Sequence, residues 1–149
     1  RFQFFEERLA GVKEALAEAG LTLPSERLVR TELSIEAGGA AAAKLLAARK
    51  AQRPTALFAC EEDFAAGALQ EAEAQGLRVP DDLSLAAFSD FVLSAQPGKA
   101  VTAVSVPAFE LGYLAVEALL NRSRIHAPMK MEIVLQPRLV VRQSVGELL

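Results

Sequence analysis

The sequence predicts an α/β fold, a three-layer arrangement in which a parallel sheet carries helices on both faces. Three observations lead there. Thr55-Ala56-Leu57-Phe58-Ala59 is a short, continuously apolar run of the kind buried on both faces of a parallel sheet, and Pro54 favours an extended chain just before it. A helical segment follows, with Ala65, Leu69 and Ala72 on one face and Gly76 placed to stop it as a C-cap glycine does. The turn Gly76-Leu77-Arg78-Val79-Pro80-Asp81-Asp82 then leads into a second apolar strand, Ser84 to Phe88. Strand, helix and strand in this order make a βαβ unit, which implies parallel strands.

The other elements are read in chain order. Phe5, Leu9, Val12 and Leu16 recur at three- and four-residue spacings and give one apolar face to a helix from Phe5 to Ala19, which Gly20 ends. Glu26 to Leu33 reads as a strand. Ser34 is placed to cap a helix from Ile35 to about Arg49, in which the run Ala40 to Ala43 has high helix propensity. After the βαβ centre come a long loop, Ser89 to Ala100, and the apolar strand Val101 to Val106. Pro107 suits the first turn of a helix that reaches about Asn121, with Phe109, Leu111, Leu114, Ala115, Ala118 and Leu119 as a wide apolar face. Ser123 to Lys130 reads as a loop with His126 and Pro128. Two short strands, Met131 to Leu135 and Arg138 to Val141, are separated by Gln136-Pro137 and close the chain.

Composition limits the function classes. A chain of 149 residues with 52% hydrophobic residues suits one domain with a real core, and a second full domain does not fit. A net charge of -3 gives no basic footprint, so any DNA contact must come from outside this segment. The single cysteine, Cys60, cannot form an internal disulfide, no run reaches membrane-spanning length, and the first residues lack a signal-peptide pattern. These features point to a soluble, cytoplasmic protein with no membrane contact.

No catalytic constellation stands out. His126 is the only histidine and lies far in sequence from Cys60, so neither a nucleophile pair nor a metal-ligand set can be assembled. Gly38-Gly39 falls inside a predicted helix and forms no phosphate cradle. The sequence therefore predicts no enzyme, no metal and no cofactor. A binding cleft is the better candidate, because ligands of open α/β sheets sit beyond the carboxyl ends of the strands. Leu33-Ser34, Glu61-Glu62-Asp63 and Ser89-Asp90 occupy those ends. For Glu61 and Glu62 an equally ready explanation is charge complementing the dipole at a helix start.

Several segments in order carry a family resemblance. They are Arg8-Leu9-Ala10-Gly11; the unit from Arg53 to Asp90; Val101-Thr102-Ala103-Val104 with Pro107-Ala108-Phe109-Glu110-Leu111-Gly112; and Leu135-Gln136-Pro137-Arg138-Leu139-Val140-Val141-Arg142-Gln143-Ser144. Nearly the whole chain resembles the effector-sensing domain of lactose/galactose-repressor-type transcriptional regulators. The resemblance implies a type I periplasmic-binding-protein-like fold of two lobes preceded by a helix-turn-helix headpiece. On that reading residues 1–106 and 131–149 belong to the second lobe and residues 107–130 to a returning segment of the first. The headpiece and the first strand of the second lobe are missing. In a strand order such as 2-1-3-4-5, that leaves a gap between the strands at Glu26 to Leu33 and Thr55 to Ala59.

Function follows as an expectation: an effector-sensing and dimerisation domain that binds a small molecule, a carbohydrate or another kind, forms a homodimer, and meets DNA only through the missing headpiece. The resemblance gives Arg8 an effector-binding role; its plainer reading is a helix-surface ion pair with Glu7 or Glu14. Effector-site candidates are Arg8, Leu33, Glu61, Glu62, Ser89 and Asp90. Departures from the family pattern fall at these positions. Glu61-Glu62 stands where Asn-Asp is usual, Ser89 replaces a carboxylate, and Leu33 replaces an aromatic that would stack on a sugar ring. They put ordinary hexose binding in doubt. A periplasmic solute-binding protein shares the fold and is the competing class; the segment before Arg1 discriminates, a headpiece marking a regulator and a signal peptide a solute binder.

Overall fold

Backbone pairing decides which of the apolar runs become strands. The computed structural model describes residues 3–49, 52–90, 100–122 and 130–146. Its elements are α1 (Gln3–Glu18), α2 (Ile35–Leu46), β1 (Ala56–Ala59), α3 (Glu62–Ala74), β2 (Ser84–Phe88), β3 (Thr102–Ser105), α4 (Ala108–Arg122) and β4 (Arg138–Val140), with a 3-10 turn at Ser25–Arg27. The strands lie in the order β1-β2-β3-β4. β1 and β2 pair in parallel with Ala56 opposite Ser84, and β2 and β3 in parallel with Ala86 opposite Thr102. β4 runs antiparallel to β3, Val104 opposite Leu139, so the sheet is mixed where a parallel one was expected.

Two expected strands do not form. Leu28 has the dihedrals of a strand (φ -112°, ψ 113°), yet Leu28 to Leu33 joins no ladder, and β1 is the edge of the described sheet. An extended segment becomes a strand only when a neighbour accepts and donates its backbone hydrogen bonds. Met131 to Leu135 likewise pairs with nothing, and Met131, Ile133 and Val134 are exposed. Residues 123–129 of the Ser123 to Lys130 loop, His126 among them, and most of the Ser89 to Ala100 loop lie outside the described residues.

Period-two alternation sorts the two faces of the sheet. Leu57, Ala59, Leu85, Ala87 and Ala103 turn to one side and join Ala42, Leu46, Ala65, Ala68, Leu69 and Ala72 of α2 and α3 in the core. Ser34 caps α2, its Oγ accepting from the Ala37 amide at 3.1 Å, and Gly76 ends α3 with φ 72°. Small residues let these two helices touch at the backbone. A Cβ on Gly67 would lie 2.1 Å from the Ile35 carbonyl oxygen, and one on Gly38 2.7 Å from the Phe64 Cα. Gly38 therefore serves helix packing rather than phosphate binding.

The opposite face is covered less fully. Leu9, Val12 and Leu16 of α1 stand across from Ala56, Phe58, Ser84 and Ala86, with a cavity of about 460 Å³ between them. Leu9 is the buried residue of α1. The chain end locks the sheet from below: Ser144 Oγ donates to the Leu85 carbonyl at 2.6 Å and accepts from the Thr102 amide at 2.7 Å, while the Leu85 amide donates to the Ser144 carbonyl at 2.7 Å. Arg142 adds a bond to the Val101 carbonyl at 2.6 Å.

Candidate functional site

The carboxyl ends of β1 and β2 bring three of the predicted residues into one network. Glu61 follows β1 in an extended conformation (φ -151°, ψ 161°) and stands at the N-cap of α3, but its carboxylate makes no capping hydrogen bond. It turns instead to Arg8 of α1. Arg8 Nη1 donates to Glu61 Oε1 at 2.5 Å and to the Cys60 carbonyl at 2.6 Å. Both side chains are mostly buried, Arg8 17% and Glu61 18% exposed, so the pair is screened less than a surface one. The partners expected from sequence proximity, Glu7 and Glu14, are not those Arg8 uses.

Aromatic rings hold the guanidinium in place. Arg8 Cζ lies 3.7 Å from the centre of the Phe88 ring and 4.9 Å from that of Phe4, and Phe5 lies 5.7 Å away. Ser89, next to Phe88, donates from Oγ to Glu61 Oε2 at 3.2 Å. Its φ is 74°, a left-handed conformation that a residue with a Cβ seldom adopts, and its amide is fixed on the Val104 carbonyl at 3.0 Å. That backbone turn aims the hydroxyl across the strand ends at Glu61.

The other candidates are placed differently. Asp90 approaches Arg142 Nη2 at 2.6 Å; the same Asp90 oxygen is buried and accepts no hydrogen bond of good geometry, so the contact is an ion pair without directional bonding. Glu62 lines a recess with Ala65, Ala66, Ala87, Ser89, Val101 and Ala103. Partial burial and the neighbouring Asp63 and Glu61 push its carboxyl above the usual carboxylate range. Leu33 is 58% exposed ahead of the α2 cap and contributes no polar group to the network. Sequence reasoning missed Phe88, Phe4 and Arg142. Phe88 had a signal, since alternation along β2 puts it opposite the core-facing Ala87; the pairing of Arg142 with Asp90 had none.

Burial pushes the Cys60 thiol above its ordinary range despite nearby Arg8, which disfavours the thiolate a nucleophile needs. No group of three or more metal-ligating side chains occurs among the described residues. The recess beside Glu62 and Ser89 holds only about 10 Å³, less than a small ligand needs. A cavity of about 460 Å³ does open at the other end of the sheet, lined by Leu69, Val79, Pro80 and Val101 and by the polar Glu73, Arg78, Gln143 and Ser144, away from the carboxyl ends of the strands where ligands of open α/β sheets sit. The strand ends thus present an open polar cluster rather than an enclosed cavity.

A fold of this kind, parallel strands with a polar cluster at their carboxyl ends, defines an α/β ligand-binding domain. The chain belongs to the family described as periplasmic binding protein-like domain, whose model matches residues 2–145. It is 36% identical over 96% of its length to the ribose operon repressor of Haemophilus influenzae and 34% identical over 96% to the HTH-type transcriptional regulator DegA of Bacillus subtilis. It spans 42% of each of those relatives. Among solved structures, a LacI transcriptional regulator from Bacillus cereus subsp. cytotoxis matches with a TM-score of 0.85 at 30% identity, covering 95% of this chain and 50% of that one. A transcriptional regulator CelR–cellobiose complex matches at 0.80 and 28%, covering 93% and 42%. The resemblance to lactose/galactose-repressor-type regulators is borne out. No helix among the described residues is long and apolar enough to cross a membrane.

Proposed function

We propose that this chain is the effector-sensing and dimerisation part of a cytoplasmic DNA-binding transcriptional regulator, and that the cluster of Arg8, Glu61, Ser89 and Phe88 is its half of the effector cleft. The observation that carries the proposal is the Arg8 guanidinium held between aromatic rings at the carboxyl ends of parallel strands, with a carboxylate and a hydroxyl beside it. Such a set can hydrogen-bond a small polyhydroxylated molecule. The shallow recess supports a cleft completed by the first lobe, of which residues 107–130 are a returning segment; no other described element packs extensively on α4. Relatives named for ribose-operon repression and for cellobiose binding favour a regulator over a solute-binding protein. Control of operator binding follows if the effector binds one lobe arrangement better than another.

The test is Arg8→Ala in the full-length protein, with D-ribose and cellobiose as probes, calorimetry for affinity and thermal midpoint measured together. Loss of a charge-assisted contact predicts about ten- to hundredfold weaker binding of whichever sugar binds the wild type. Unchanged affinity with a lowered midpoint assigns Arg8 to structure and removes the main support for the cleft.

A further inference from the structure

Arg8 is presented as an anion receptor would be, yet its charge is already matched. Stacked on Phe88, the guanidinium offers its edge rather than its face, and a free arginine edge binds carboxylates and phosphates in a bidentate fork. Here Nη1 is committed to Glu61 and to the Cys60 carbonyl, while Nη2 and Nε donate to no acceptor among the described residues. Glu61 cannot readily leave, because its second oxygen accepts from Ser89, whose amide is tied to Val104. Glu62 and Asp63 follow in the first turn of α3 and add further negative charge on the same side.

We propose that Glu61 is a specificity residue that fixes the charge class of the effector, neutralising Arg8 so that phosphate- and carboxylate-bearing molecules are excluded and an uncharged polyol is accepted. An anion approaching Arg8 would sit beside the Glu61 carboxylate in a poorly screened setting, where like charges repel strongly. A hydroxyl meets no such penalty. Its oxygen can accept from the uncommitted Arg8 edge while its proton is donated to Glu61, so the pair reads both halves of an O–H group. This inference rests on the cluster being the effector site proposed above.

Inorganic phosphate is the decisive probe. In full-length protein at fixed ionic strength, the side-chain Nε–H resonance of Arg8 and calorimetry should show no saturable phosphate binding to the wild type. Glu61→Gln should create saturable binding, at least about tenfold tighter than any wild-type response, the minimum for removing one close like charge. Adding Arg8→Ala should abolish it, and Glu62→Gln alone should not produce it. Glu61→Asn, which retains a good N-cap residue, serves if the first variant loses its thermal midpoint. Phosphate binding by the wild type as tight as by either variant, or no gain in a folded variant, overturns the proposal. Sugar titrations on the same samples read the function separately. Sugar binding that depends on Arg8 without a phosphate gain refutes the charge filter and leaves the effector site standing. A phosphate gain without sugar binding supports the filter and counts against a sugar effector.

Discussion

At the scale of single residues, Ser144 shows how a short polar side chain near the chain end holds the middle of the sheet. One hydroxyl serves the Leu85 carbonyl of β2 and the Thr102 amide of β3, and all three residues are buried. Ser144→Ala strands a donor and an acceptor at once, and a buried unsatisfied group costs about 1–3 kcal/mol. The expected outcome is a drop of about that size in unfolding free energy by denaturant titration, with effector affinity unchanged because Ser144 lies at the end of the sheet away from Arg8. The closing segment through Ser144 was visible in the sequence as a family pattern; its structural reason was not, since Leu85 and Thr102 are remote in sequence from Ser144. The same limit applies to Arg8. Neighbouring Glu7 and Glu14 are what a sequence offers as partners, whereas the chosen one, Glu61, arrives only when α1 crosses the end of β1.

Elements were legible where their signals are local. Ser34 caps α2, Gly20 and Gly76 take positive φ after α1 and α3, and the Arg78 backbone and side chain both donate to Asp82 to shape the turn before β2. The crossing of α2 over α3 was not, because it depends on Gly38 and Gly67 meeting across two helices. Gly67→Ala places a methyl within 2.1 Å of a backbone oxygen and must push the helices apart. Overpacking of this kind costs about 1–3 kcal/mol, against a gain of under about 1 kcal/mol in helix propensity, so net destabilisation is expected by thermal or denaturant unfolding. Gly112 of α4 is the matched control. A Cβ there meets nothing within 4 Å, so Gly112→Ala should stabilise by about 0.5–1 kcal/mol. Equal effects at the two sites would remove the close crossing as the reason for Gly67.

For the molecule as a whole, the notable feature is how much apolar surface remains open. Phe109, 80% exposed, stacks on Tyr113 at 6.3 Å, and Val116 continues the same side of α4. β1 presents an edge unpaired among the described residues beside the extended Leu28 segment, next to a cavity of about 460 Å³. Surfaces of this kind seek partners. We propose that the 149-residue chain, expressed alone, self-associates through them. Sedimentation velocity should show concentration-dependent dimers or larger species, and Tyr113→Glu with Val116→Glu should shift the population toward monomer. A stable monomer at all concentrations, unaltered by these substitutions, would rule out α4 as the contact.

Sequence by itself determined the βαβ core, the three helices that flank or feed it, and the family, because caps, turn residues and apolar periodicity act within a few positions of one another. Tertiary structure alone decided the rest. Glu26 to Leu33 was expected as a strand, but Glu26 and Arg27 lie in a 3-10 turn and no described neighbour completes a ladder for the rest, because strand identity belongs to a pair of segments. β4 runs antiparallel to β3, a direction no local pattern encodes, because it depends on which remote strand it pairs with. The site follows the same rule. Glu61 and Ser89 were visible as polar residues at predicted strand ends and Arg8 through the family resemblance, while their joining into one mostly buried network beside the Phe88 ring required the fold, since proximity in space is fixed by packing and not by spacing along the chain.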